Sequence, residues 1–224
     1  MANLLRSLFE PFGPVYQVPR YKKDTKSYEW NLSTILDISF GFLLQERVGV
    51  WRWLASHDGL TLAYLAGLLD AEGSVVTTRN ARGDILLFVT WSNSDLELLR
   101  WVRGRLRHLG YPTSLCLNKR QGVKSKKYGI IHRRDYWQLS IFGIPRVQEF
   151  LRRIFPKHSE KVRRVRIALS VRKAERYSDV LQELTQLRAE IKEDVKPFVK
   201  KAESVYLSTH PAVNCANPSN SQCA

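Results

Sequence analysis

Leu65-Ala66-Gly67-Leu68-Leu69-Asp70-Ala71-Glu72-Gly73 is the stretch on which the fold turns. It closes a strongly helical run that begins near Thr61, and Gly73 ends that run. Ala63, Gly67 and Ala71 recur every four residues, a stripe of small side chains along one helix face; Ala66 is expected to join it. Such a stripe lets a second helix backbone come unusually close. Asp70 and Glu72 stand at the C-terminal end. A helix carries partial negative charge there, so each acid is disfavoured by a few tenths to about 1 kcal/mol. If the helix pairs with a copy of itself, two Glu72 carboxylates meet and repel. Divalent cations relieve both conflicts, so the stretch reads as a metal site at a symmetric helix interface.

Downstream, hydrophobicity switches to a period of two. Ile85, Leu87, Val89 and Trp91 share one face; Leu86, Phe88 and Thr90 share the other. With residues 74–79 and an Ala-Arg-Gly-Asp turn at 81–84, this predicts a β-hairpin. Residues 94–109 then fit a helix capped by Ser94 or Asn93, with Glu97 at the capping-box position for Ser94. A second hairpin is predicted from Thr113–Arg120 and Arg134–Phe142, with Leu115, Leu117, Trp137, Leu139 and Ile141 inward. Helices are expected again at 145–154, 160–173 and about 178–196. From 61 to 173 the order is helix, two strands, helix, two strands, helices. That is an α+β fold with helices on one face of an antiparallel sheet and the other face free for a ligand.

The upstream chain is harder to read. Residues 1–30 hold three prolines and are expected to be irregular, and 31–56 to be helical. From Ala202 the chain is poor in charge and rich in Asn, Ser and Pro, so 202–224 is expected to be a disordered tail.

The nine residues closely resemble the signature of the LAGLIDADG homing endonucleases, departing at Leu69 (Ile in the namesake) and Glu72 (Asp in the namesake). The element order over 58–173 is similar to that family's αββαββα core. The resemblance implies a LAGLIDADG core at 58–173; a partly helical extension at 1–57 and an amphipathic helix at 174–201, the latter read from apolar spacing, lie outside it. It implies a site-specific endonuclease that uses Mg²⁺ or Mn²⁺ to break double-stranded DNA at a long, pseudo-palindromic site. One motif is present, so the family's two-helix site implies a homodimer of single-motif type. Glu72 occupies the position of the metal-binding acid, Ala71 that of a backbone carbonyl ligand, and Asp70 that of an acid associated with the helix end. Asn93 matches a polar residue that orders solvent near the metals, though an N-cap reading of it stands equally open. Lys161 matches a lysine near the cleaved phosphate.

Charge agrees with a nucleic-acid partner. A net +15 calls for an anionic partner, of which nucleic acid is the commonest and an acidic membrane surface the alternative; DNA is the expected partner, with RNA a lesser one. Positions expected to face the DNA are Thr78, Asn80, Arg82, Thr90, Asn118, Arg120, Tyr136, Gln138 and Ser140. Lys124, Lys126, Lys127, Arg133 and Arg134, in a loop free of acids from 119 to 134, are expected to grip phosphates. Arg152, Arg153, Lys157, Arg163, Arg164 and Arg166 are expected as further backbone clamps.

No run of about 18 apolar residues exists, so no membrane span is expected. Cys116, Cys215 and Cys223 form no CxxC pair, and the protein is expected to be intracellular. Two other readings stay open: a non-cleaving binder on the same fold, such as an intron RNA maturase or DNA-binding regulator, and a basic ribosome-associated factor.

Overall fold

A computed structural model describes residues 2–23, 26–44, 47–124, 129, 131–172 and 177–210. Its elements in chain order are α1 (Ala2–Phe9), β1 (Val15–Lys22), β2 (Ser27–Thr34), a 3₁₀ segment (Ile38–Leu44), α2 (Arg47–Ala55), α3 (Asp58–Glu72), β3 (Gly73–Arg79), β4 (Ile85–Asn93), α4 (Leu96–His108), β5 (Thr113–Lys119), β6 (Tyr136–Phe142), α5 (Ile144–Arg153), α6 (Ser159–Ser170) and α7 (Tyr177–Thr209). They fall into two compact units: Met1–Leu43 with Arg188–Ala224, and Leu44–Leu187.

The larger unit carries a four-stranded antiparallel sheet in the order β3-β4-β6-β5. Two hairpins thus join along their inner strands, with Thr90 opposite Ser140 and Val89 opposite Ile141. Alternation sends Ile85, Leu87, Val89 and Trp91 of β4, and Leu139 and Ile141 of β6, to the buried side. Leu65 and Leu69 of α3, Val102 and Leu106 of α4, and Val147 and Phe150 of α5 pack into the same core. Burying one such side chain is worth about 1.5–3 kcal/mol, so this layer anchors α3 against the sheet.

The cap of α4 differs from expectation. Asp95 accepts the Leu98 amide at 3.0 Å, while Asn93 Oδ1 accepts the Asp95 amide at 2.9 Å. Asn93 therefore makes the turn that precedes the cap. Among Asn, Ser and Asp in one short stretch, hydrogen-bond geometry chooses and composition does not.

Three expectations about the regions flanking the four-stranded sheet are corrected. Residues expected to be irregular or helical form a β1–β2 hairpin, registered Val18 to Asn31 and Pro19 to Trp30. Pro19 is tolerated because a two-stranded sheet has only edge strands. Among the described residues of 31–56, helix is confined to the 3₁₀ segment and α2. The C-terminal helix does not stop at 196: it passes through Pro197 to Thr209, so residues 202–209 are not a disordered tail. Ala202 is fully buried, and the Tyr206 ring lies 5.5 Å from Tyr28 and 6.3 Å from Tyr21. These anchors outweigh the loss of one helical hydrogen bond at proline. Residues 211–224, the rest of the expected tail, lie outside the described residues. Among the described residues no helix is long and apolar enough to cross a membrane.

Candidate nucleic-acid interface and metal centre

Helix α3 is apolar around most of its circumference, a pattern that asks for cover on more than one side. Thr61, Leu65, Ala66 and Leu69 are buried in the chain's own core. Tyr64 leans the other way, edge-on to Trp101 at 5.4 Å, and Trp101 stacks on Trp51. Ala63, Gly67 and Ala71 are exposed, and a methyl group added at Gly67 would meet nothing within 4 Å. The expected small-residue face is therefore open, with one correction: Ala66 is 8% exposed and belongs to the core. A residue one position before Gly67 lies about 100° around the helix, which turns Ala66 toward the sheet.

The helix passes into β3 with no linker. Gly73 is both its C-cap and the first strand residue, and its amide returns to the Leu69 carbonyl. A Cβ on Gly73 would lie 2.8 Å from Leu69 Cα and 3.0 Å from Leu69 O, so only glycine allows this step. The abrupt exit leaves Glu72 exposed at the helix end. The Ala71 carbonyl belongs to the last turn, where helical carbonyls run out of intrahelical donors.

Asp70, expected with Glu72 and Ala71 at the metal site, is engaged by backbone amides. Its Oδ2 accepts the Lys157 amide at 2.6 Å and its Oδ1 the His158 amide at 3.1 Å. Both oxygens thus fix the turn that leads into α6, and Asp70 is a brace between two elements. The sequence signal for this was absent, because the donors lie 87 and 88 residues away.

That brace brings α6 alongside α3. Lys161, on the first turn of α6, donates from Nζ to the carbonyl of Gly73, the residue after Glu72. Burial lowers the Lys161 pKa below its ordinary 10.5, with the neighbouring Arg164 pushing the same way and Glu160 and Asp70 opposing. His158, to which no role was assigned from sequence, lies three residues before Lys161 and holds a buried Nδ1 with no partner. Asn93 ends β4 opposite Trp137, with Trp91 two residues earlier opposite Gly73. Register thus places it toward the Glu72 end of the sheet. Among the described residues no three His, Cys, Asp or Glu side chains form a metal-holding group.

The sheet face turned away from the helices is graded in cross-strand rows. Nearest the basic hairpin loop stand Asn118 and Tyr136, both exposed. Next comes Ser92–Gln138–Cys116, then Ser74–Thr90–Ser140–Ser114, then Val76–Phe88–Phe142, and outermost Thr78–Leu86. No Asp or Glu occupies any of these positions.

Several expected DNA-facing residues are corrected. Thr90 and Ser140 lie on this face but are buried, and the Ser140 hydroxyl donates to Thr90 Oγ1 at 3.0 Å. Asn80 shapes the β3–β4 turn instead of facing a ligand: its Oδ1 accepts the amides of Arg82 and Asp84, and its Nδ2 donates to Asp84. Polar residues in turns bond to nearby backbone before they reach a distant partner.

Thr78 and Gln138 are half-buried on the free face, and Arg82 is exposed at the turn. At the other end, Arg120, Lys124, Arg133 and Arg134 are exposed. Lys119 lies 6.0 Å from the Tyr136 ring. Lys126 and Lys127 lie outside the described residues. Among the expected clamps, Arg153 donates to the Tyr111 hydroxyl and Arg164 pairs with Glu160, so both have structural partners within the chain.

Residues 60–155 match the family described as a LAGLIDADG-like domain. Among solved structures, the homing endonuclease I-CvuI in complex with the I-CreI target is 16% identical, with 66% of this chain and 83% of that one covered and a TM-score of 0.35. I-DmoI in complex with DNA and Ca is 18% identical, with 70% and 65% covered and a TM-score of 0.43. Full-length DUF199/WhiA from Thermatoga maritima is 18% identical, with 83% and 54% covered and a TM-score of 0.40. No curated protein matches the chain.

Proposed function

From the match of residues 60–155 to the LAGLIDADG-like domain family, we propose that the protein is a homodimeric endonuclease that cuts double-stranded DNA with a divalent metal at a long, pseudo-palindromic site. One observation carries this reading: the open small-residue face of α3 runs directly into an exposed Glu72, with the Lys161 ammonium held on the next carbonyl.

Two copies packing through Ala63, Gly67 and Ala71 bring their Glu72 carboxylates to a shared axis. Such a contact is isologous, so the target has matching half-sites. The available donors suit Mg²⁺ or Mn²⁺: a carboxylate and a carbonyl are hard oxygen ligands. Glu72 and the Ala71 carbonyl would hold the ion, with the second subunit and the DNA phosphate completing its shell. A bound ion of this kind polarises the scissile phosphate and lowers the pKa of an attacking water.

The chain's own residues do the rest. Asp70 holds the α6 turn, which sets Lys161 on the Gly73 carbonyl, one residue past Glu72. The Lys161 ammonium, once turned toward DNA, stabilises charge gathering on the phosphate. Asn93 orients solvent from the end of β4. The free sheet face enters the major groove, which admits a β-ribbon. Arg120, Lys124, Arg133 and Arg134 hold the backbone.

The test is selection of a bound duplex from a randomised library, followed by addition of Mg²⁺. Cleavage of both strands by the native chain and none by Glu72→Gln, with binding retained by both, is the expected result. Binding without cleavage by the native chain would instead establish the non-cleaving reading.

A further inference from the structure

The free sheet face is not polar throughout. Val76, Phe88 and Phe142 form one cross-strand row. The Phe88 and Phe142 rings lie 5.4 Å apart, and Phe142 is 46% exposed. Leu86, in the adjoining outer row, is 42% exposed. Exposed aromatic surface on an otherwise polar face carries a cost in water, and contact with an apolar ligand group removes it.

The setting identifies that group. Arg146 donates to the Phe142 carbonyl at the end of the row, and Arg82 stands exposed at the nearby turn. The face has no carboxylate, and the chain carries +15. Three side chains fall far short of the roughly 800 Å² per partner of a stable protein interface. What a basic, acid-free sheet face meets in the major groove that is apolar is the thymine 5-methyl group. Resting on the DNA-reading role above, we infer that Val76, Phe88 and Phe142 select thymine at base pairs beyond those read by the Ser92–Gln138 end. Discrimination is two-sided. The methyl fills apolar contact, and a cytosine amino group placed against the rings loses its hydrogen bond to water. Val76 lies three residues from Gly73, about 10 Å along the strand at ~3.3 Å per residue, which sets the selected positions a few base pairs from the cut.

The experiment uses the full chain and a duplex selected from a random library. Each thymine is replaced singly by deoxyuridine, which removes only the methyl. The inference expects one or two positions in each half-site to lose about three- to tenfold in affinity, the others staying within twofold. Reselection with Phe142→Gln, a change at an exposed position, then loses the thymine preference at those same positions, and Phe88→Leu, which keeps a smaller apolar group, weakens it. Uniform indifference to deoxyuridine, or unaltered preference in both variants, overturns the inference while leaving the endonuclease reading intact. If no duplex is enriched at all, the DNA-reading role itself fails and this inference fails with it.

Discussion

The Asp70 carboxylate receives the backbone amide of Lys157 at 2.6 Å, so the last turn of α3 sets the start of α6 directly. With His158 on its other oxygen, Asp70 satisfies two amides that would be left unpaired without it. A hydrogen bond to a charged acceptor contributes about 1.5–3 kcal/mol. Asp70→Ala is therefore expected to lower unfolding free energy by about 2–4 kcal/mol in urea, two such bonds to one acceptor not being additive. Asp70→Asn, which keeps one carbonyl acceptor, is expected to lose less than half as much.

Two glycines six residues apart should respond in opposite ways. Gly73→Ala drives a methyl into Leu69 backbone and is expected to cost about 1–3 kcal/mol or more in thermal or urea unfolding. Gly67→Ala meets open space within the subunit and removes a helix-interior glycine, so subunit stability should rise by up to ~1 kcal/mol. The same change crowds a helix pair. Sedimentation should therefore show weaker self-association, by about tenfold (~1.4 kcal/mol).

The alkaline limb of activity should expose Lys161. Burial lowers its pKa below the ordinary 10.5, so the ammonium needed at the phosphate disappears at lower pH than an exposed lysine would lose its charge. Lys161→Arg keeps a charge across the accessible range and should move that limb upward, with a lower rate because the guanidinium places its charge differently. The stability consequence has a fixed sign. Between the lowered folded value and 10.5 the unfolded chain binds more protons, so this group makes stability rise with pH across that window. Urea titrations of the native chain and Lys161→Met should differ in slope there.

Glu72→Gln removes the charge but keeps the shape of the exposed acid. Metal-dependent cleavage is expected to fall by at least about a hundredfold, in line with losing a group that stabilises transition-state charge. Affinity for duplex in the absence of metal should hold or rise slightly, since one carboxylate near phosphate is gone. Filter binding and gel assays on one selected duplex separate the two effects.

Local patterns explain what could be read without coordinates. The period-two run through Ile85, Leu87, Val89 and Trp91 and the helical run from Thr61 follow from residues within one element, and the structure places both as expected. The helix-end position of Glu72 and the small-residue face at Gly67 were legible for the same reason, and both are exposed. Asp70 was not: its partners arrive from a loop far along the chain, and no spacing rule encodes them. Ala66 was misplaced because a stripe of small residues does not say which side the sheet will take. Thr90 and Ser140 alternate correctly, yet sit covered, because neighbours on adjoining strands decide exposure on a sheet face. The β1–β2 hairpin was obscured by Pro19, and helix beyond Pro197 by the proline itself; in both cases partners distant in sequence outweigh a local breaker.

The central claim is that α3 packs against its own copy through the Gly67 face. Gly67→Cys, placed where the subunit leaves open space, tests it most directly in the full chain bound to DNA. Mild oxidation should give a disulfide-linked dimer whose peptide map joins residue 67 to residue 67, in a background with the exposed Cys116 and the tail cysteines replaced by serine. A protein that stays monomeric on oxidation, or that links only through other positions, would contradict the shared Glu72 site.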